Sequence, residues 1–307
     1  MRAVHLIVPF AAPSTAAGQD ALSRLATPAL DALLAGWHEA GRDEGEETSL
    51  TTPHERAWAR ALGWRTDADA ALPWAARLAA ADGIEVGSAA WGLLTPVHWR
   101  VGSDAVHLAD PRALALDEAQ SRTLFEAVRP LFDSEGFTMA WGASLRWYAA
   151  HPDLAALPTA SLERVIGRNV ERWLPAQTQA PLLRRLQSEV QMLLYTHPIN
   201  EQREAAGVPV VNSFWLSGCG AFRAGAALDV QVDDRLTAPA LAGDWSAWTA
   251  SWTALDASLL PTRPLHTITL CGERSAVTFE RNEQRLWQRL ATALKGRLPT
   301  RERLLAL

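Results

Sequence analysis

His197-Pro198-Ile199-Asn200-Glu201-Gln202-Arg203, then Gly207, then Val211-Asn212-Ser213-Phe214-Trp215-Leu216-Ser217-Gly218-Cys219-Gly220, is the stretch on which the reading of this chain turns. After Gly207 an apolar run, Val208 to Leu216, has the length and continuity of a buried strand. Ser217 to Gly220 then reads as a glycine-rich turn whose backbone N–H groups could cradle a phosphate. The stretch lacks a P-loop lysine and the full dinucleotide fingerprint, so a plain tight turn competes with that reading.

Working outward, strands and helices alternate. Val4 to Val8 is a continuous apolar run, as a buried parallel strand would have. Asp20 to Ala35 places Leu22, Leu25, Ala29, Leu30, Leu33 and Leu34 at helical spacing, with Gly36 as a stop. Gly41 to Glu47 reads as an acidic loop. Thr51-Thr52-Pro53 followed by Glu55 reads as the start of a helix that ends at Gly63. Ala70 to Ala81 is another amphipathic helix. Between Ala89 and Val101, and again at Ala105 to Leu108, the texture is that of paired strands. Asp117 to Phe132 reads as a helix, and Phe137 to Trp141 with Ser144 to Tyr148 as a hairpin turning at Gly142-Ala143. A helical stretch runs from Ser161 to Thr196. Ala227 to Val232 and Leu265 to Leu270 are further apolar runs, with a helix at Trp245 to Leu259 between them and another at Glu280 to Leu294.

Composition excludes several classes. The 307 residues are 48% hydrophobic and 21% charged, which suits a globular chain rather than a disordered one. A net charge of −5 provides no basic field to recruit nucleic acid or anionic lipid. No apolar run reaches the ~18 residues of a spanning helix. Val4 to Phe10 is interrupted by Pro9 and reads as a first strand rather than a signal peptide, which implies a cytoplasmic protein. The 2 cysteines are too few for a disulfide scaffold or a paired-cysteine zinc site, and no two histidines have the H-x-x-x-H spacing. The 14 tryptophans read mostly as core filling.

The opening stretch resembles the H-P-x-N-x-x-R-x-x-x-G and N-x-x-W-x-x-G-x-G segments of the archaeal-type cofactor-independent phosphoglycerate mutases, in the alkaline phosphatase superfamily. Other blocks are similar to that family in the same order: Ala26 to Leu33, Ala61-Leu62-Gly63-Trp64, Trp99-Arg100, the Asp117-Glu118-Ala119 helix start, and Gly142 to Arg146. The chain is further identified with the RpfE-type regulatory proteins, which resemble those mutases. The resemblance implies an α/β fold with an alkaline-phosphatase-like, mainly parallel sheet flanked by helices. It also implies a discontinuous core (1–85 with 205–307) and an inserted, smaller α+β cap domain (86–204). Ligands of such sheets sit beyond the carboxyl ends of the strands, which would gather Pro9 to Pro13, His54 and Ser217 to Gly220 around one cleft.

Residue by residue, the resemblance gives a mixed picture. His54 falls at the position of the family's nucleophilic serine, and Glu55 at that of the following aspartate. The family's first strand ends in a metal-binding Asp-Gly, whereas here it runs Val8-Pro9-Phe10-Ala11-Ala12. Arg274 stands where a histidine ligand is expected. A two-metal centre needs about five or six oxygen or nitrogen ligands, so the expectation is no metal, no cofactor and a lost phosphotransfer site. Arg100, Arg146 and Arg203 match positions where the family places cations near the substrate phosphate, and Arg suits bidentate phosphate contact. With Asn200, Asn212, Gly218 and Gly220 they are the anion-binding candidates. Surface ion pairs for the arginines and backbone fixing for the asparagines are the competing readings. His54 itself reads either as part of a capping turn or as a phosphorylated replacement for the serine. Cys219 reads as a buried thiol.

Three functions stay open on sequence. The chain could be a mutase-like protein that senses a small phosphorylated metabolite or binds a regulatory protein partner. It could be an active mutase or phosphatase with a rebuilt site, or a purely structural interaction protein. No nucleic acid or membrane partner is expected.

Overall fold

A computed structural model describes residues 4–64, 72–176, 180–226, 229–259, 265–281 and 300–307. Its contacts divide the chain into two compact units. The first joins Met1–Arg65 to Gly225–Leu307, and the second is Thr66–Ala224.

The first unit contains strands β1 (Val4–Ala12) and β2 (Trp37–Glu44), with helices α1 (Ala16–Ser23), α2 (Pro28–Leu34) and α3 (Pro53–Ala61) in the same part of the chain. The second unit runs α4 (Trp74–Ala81), β3 (Ala90–Val97), β4 (Trp99–Val101), β5 (Val106–Leu108), α5 (Glu118–Asp133), β6 (Thr138–Ala143), β7 (Arg146–Ala150), α6 (Leu162–Val165), α7 (Pro181–Tyr195), α8 (Pro198–Ala205) and β8 (Ser213–Ala221). The chain then returns to the first unit with β9 (Asp229–Val232), α9 (Thr237–Ala242), α10 (Trp245–Ser258), β10 (Leu265–Gly272), β11 (Ser275–Arg281) and a last helix at Thr300–Leu305.

In the first unit the strand order is β2-β11-β10-β1-β9. β1 is parallel to both of its neighbours, as its continuous apolar run predicts, because both of its faces are covered. Leu6 and Val8 face a core shared with Leu22, Leu30, Trp248 and Trp252. Ile7 faces the other way, toward Ala57 of α3 and Cys271. β11 and β2 extend the sheet in antiparallel fashion. In the second unit β6-β7-β3-β8 form an antiparallel sheet. One face packs on α5 and α7 through Leu124, Phe132, Leu186 and Val190, and the other on α4 through Ala75, Ala76 and Ala79.

Several expectations are corrected. The fold is α/β, but parallel pairing between strands is confined to β9-β1-β10, and the other strand pairs among the described residues are antiparallel; a single parallel bridge joins Leu108 to Ile166. Gly41 to Glu44 is not loop but the end of β2, whose side chains are mostly exposed, as an edge strand's can be. The helix expected over Asp20 to Ala35 is two helices. Thr27-Pro28 breaks the chain, and buried Asp256 of α10 accepts the N–H groups of Ala29 (3.0 Å) and Leu30 (2.8 Å) at the new N-terminus. The hairpin turns at Ser144-Leu145, two residues later than its glycine suggests. Glu280 and Arg281 end β11 rather than start a helix, and 282–294 lie outside the described residues, as do 70–71 and 227–228.

The units also part at different places from the expected 85 and 204. β8 pairs with β3, and α4 packs on both, so 72–85 and 205–224 belong with the second unit. The apolar run after Gly207 therefore builds the antiparallel sheet rather than the sheet that holds β1.

Candidate functional site

At the carboxyl end of β1 the chain holds Phe10 in the left-handed region, with φ of 53°. A non-glycine residue there is strained by about 1–2 kcal/mol. Two indoles of α10 clamp the distortion: Trp248 Nε1 donates to the Phe10 carbonyl (2.9 Å) and Trp252 Nε1 to that of Ala11 (3.2 Å). Beside this corner α3 begins. Thr52 accepts from the Glu55 N–H (3.3 Å) and the Glu55 carboxylate accepts from the Thr52 N–H (2.9 Å), a reciprocal capping box. His54 sits half-buried in this first turn, its Nε2 3.1 Å from Thr52 Oγ1, and its ring lies 6.0 Å from that of Phe10. The helix start thus carries its own anion, Glu55, where a bound phosphate would have to sit.

Other charges at this end of the sheet are engaged as well. Asp43 binds Arg56 Nε (2.7 Å) and Arg60 Nη1 (2.8 Å). Burial pushes the Asp43 carboxyl up, and its two guanidinium partners more than offset this, leaving it below the usual carboxylate range. Glu273 accepts the Ser14 N–H (3.1 Å), and Arg274, at the position of an expected ligand, pairs with Glu47 (2.9 Å). Among the described residues no group of three or more His, Cys, Asp or Glu side chains converges. The described residues do not fit the two-metal centre of the family that the sequence resembles.

In the second unit the H-P-x-N segment folds as a stitch. His197 caps α8, its Nδ1 accepting from the Ile199 N–H (3.2 Å), and Pro198 takes the first helical position, where no N–H is needed. Burial lowers the His197 pKa. Asn200, 5% exposed, donates to the carbonyls of Leu194 (2.8 Å) and Val211 (2.6 Å) and accepts from the Val211 N–H (3.0 Å). Asn212 holds Trp99 in the same way, accepting from its N–H (2.7 Å) and donating to its carbonyl (2.9 Å). Arg203, 3% exposed, donates to the Pro209 carbonyl (2.9 Å), to Gln120 Oε1 (2.5 Å) and to the Leu114 carbonyl. Burial lowers its pKa, and nearby Asp117 partly counters this.

The other candidates lie elsewhere in the second unit. Arg146 makes a two-point contact with Asp82 (2.9 and 2.8 Å), which also accepts from the Tyr148 hydroxyl (2.7 Å). The Arg146 hydrogen bonds hold the Asp82 carboxyl below its ordinary value. Arg100 is exposed on β4. Gly218 and Gly220 are not in a turn after a strand. They lie inside β8, where the pairing with β3 slips between Trp91 and Leu93. Gly218 has φ of 64°, and a Cβ there would come within 2.9 Å of the Ala75 N at the start of α4. A Cβ on Gly220 would come within 3.0 Å of Pro73 Cβ. Helix approach accounts for both glycines. Cys219 is buried between them, and burial pushes its thiol up to about 12.

The structure therefore brings Asn200, Arg203 and Asn212 together as a backbone clamp. It places Arg146 on a hairpin, Arg100 on a separate strand pair and His54 in the other unit.

No protein-family model matches the chain, and no curated protein matches it. Among the solved structures that are similar to it at low identity are the following two. One is a cofactor-independent phosphoglycerate mutase from Thermoplasma acidophilum DSM 1728, with 15% identity over 93% of this chain and 91% of that one, at a TM-score of 0.37. The other is the PH0037 protein from Pyrococcus horikoshii, with 11% identity over 91% and 86%, at a TM-score of 0.43. No described helix is long and apolar enough to cross a membrane.

Sequence reasoning missed Asp82, the acid that binds Arg146. Sequence carries no signal for that pairing; in the structure a Cβ at Gly142 would clash with Asp82 Oδ2. It missed the roles of Trp248 and Trp252 as well. Their spacing of four residues on a helix was legible, but their carbonyl partners were not.

Proposed function

We propose that this chain is a mutase-like protein without phosphotransfer chemistry, acting through protein–protein interaction. The observation that carries this reading is the engagement of Arg146, Arg203 and His54, three of the four residues that would serve a phosphate, while Arg100 stands apart on β4. Arg203 is buried and bound to two backbone carbonyls and Gln120, and Arg146 is bound to Asp82 and so already has its carboxylate. His54 packs against Phe10 in a helix turn already capped by Glu55. An anion entering either place would have to displace hydrogen bonds to charged groups worth about 1.5–3 kcal/mol each. A serine-type nucleophile would in addition need metal activation, and the residues that supply it are not assembled among those described.

The test is enzymatic and thermal together. Purified protein supplied with Mn²⁺ or Zn²⁺ should hydrolyse no generic phosphomonoester and interconvert no phosphoglycerate, and His54→Ser should stay inert. Phosphorylated three-carbon acids should leave the melting temperature unchanged. Measurable turnover would restore the active-enzyme reading, and a saturable thermal shift would restore the metabolite-sensor reading.

A further inference from the structure

Large apolar side chains that stand almost wholly in water mark surfaces that are covered in use. Among the described residues the three most exposed are Tyr195 at 86%, Val101 at 84% and Met192 at 76%. They belong to one region of the second unit. Val101 and Tyr195 line a single groove of about 550 Å³, and Met192 precedes Tyr195 by three positions on α7, hence on the same helix face. Trp99, two residues before Val101 on β4, lines the groove too, as strand alternation requires.

The groove is also acidic. Glu201 and Glu204 line it from α8, again three positions apart, and both are exposed. Neither carboxylate pairs with a cation among the described residues. Glu171, a third acid of the lining, is bound to Arg184 (3.1 Å), so that arginine does not neutralise the other two. Asn200 and Asn212 form part of the wall and are held by the backbone bonds described above, which makes this wall stiff. Aromatic faces and unpaired carboxylates together suit a guanidinium or ammonium group, which stacks on the one and pairs with the other.

We propose that this groove is the docking site for a protein segment carrying apolar side chains next to Arg or Lys. Val101, Met192 and Tyr195 receive the apolar anchors, and Glu201 and Glu204 take the cationic groups. Electrostatic complementarity at such a rim sets partner choice and the rate of encounter. The proposal deepens the interaction reading and rests on it. Its test reads a different quantity from the phosphatase and thermal assays, so the two fail separately.

The experiment titrates the full-length protein into a short fluorescent peptide of alternating leucine and arginine, followed by polarisation. An alternating leucine and glutamate peptide is the control. Saturable binding of the first alone is expected, weakening steeply with salt over a Debye-length change. Glu201→Gln with Glu204→Gln should weaken it by roughly tenfold or more, and Tyr195→Ser by a similar factor. Glu118→Gln with Glu126→Gln, which removes two exposed acids of α5, should leave it unchanged. Equal weakening by the two double variants would mean unspecific attraction to an acidic protein and would overturn the proposal. No saturable binding, or binding of both peptides alike, would do the same. Sedimentation that reveals a dimer dissociated by Tyr195→Ser would assign the groove to a second copy and overturn it too.

Discussion

The two faces of α8 carry opposite kinds of residue. Inward, Asn200 and Arg203 are 5% and 3% exposed, with hydrogen bonds to six polar groups between them. Outward, Glu201 and Glu204 stand in water beside an apolar groove. The inward residues belong to the motif by which the chain resembles a phosphotransfer family, and here they hold backbone in place. The outward ones belong to no motif, yet they have the charge left to recognise something. A short sequence signature can mark a fold's internal fastening as readily as its chemistry, since both need fixed geometry.

That contrast can be broken by stability measurements. Arg203→Met should have the largest effect. It removes the donors that satisfy the Leu114 and Pro209 carbonyls and Gln120, and should cost on the order of 3–4 kcal/mol in urea unfolding. A loss near zero would mean that these bonds do not fasten the unit and that Arg203 is available to a ligand. Asn200→Ala leaves the Val211 carbonyl and N–H without partners and removes one donor from the Leu194 carbonyl, which still accepts from the His197 N–H (3.2 Å); it should cost about 2–3 kcal/mol, read from the same denaturation midpoints. Gly218→Ala forces a Cβ against the backbone of α4 at positive φ, and about 2 kcal/mol is expected.

The first unit sharpens the comparison through pH. His5 faces inward under α3, with Nε2 2.8 Å from Thr269 Oγ1, and burial lowers its pKa from 6.5 to about 4. The folded chain therefore favours the neutral ring, whereas the unfolded chain takes up a proton near 6.5. The contribution is complete above pH 6.5 and falls away as pH drops toward 4. His5→Gln should flatten that part of the stability profile, and an unchanged slope would show that His5 does not titrate there. Smallest of all, Glu201→Gln with Glu204→Gln should shift stability by no more than about 0.5 kcal/mol, because exposed carboxylates hold nothing in place. A larger loss would mean that the outward face is structural as well.

Local chemistry was enough for the elements whose signals are short-ranged. The apolar run Val4 to Val8 reads as a buried strand and is one, and Thr52-Pro53 with Glu55 reads as a helix start and begins α3. Asp117 starts α5 for the same reason, accepting from the Gln120 N–H (2.7 Å). Arg146 met its acid 64 positions away and Arg203 its carbonyl at Leu114 89 positions away, distances over which one sequence carries no pairing signal. The same holds for β8, where an apolar run states that a strand is buried but not which sheet buries it. Sheet membership, the bulge that needs Gly218, and the groove between α7, α8 and β4 all depend on close packing of segments distant in the chain. Burial and hydrogen-bond satisfaction choose among such partners only when the whole unit has folded, because the penalty for an unpaired polar group exists only once water has been excluded.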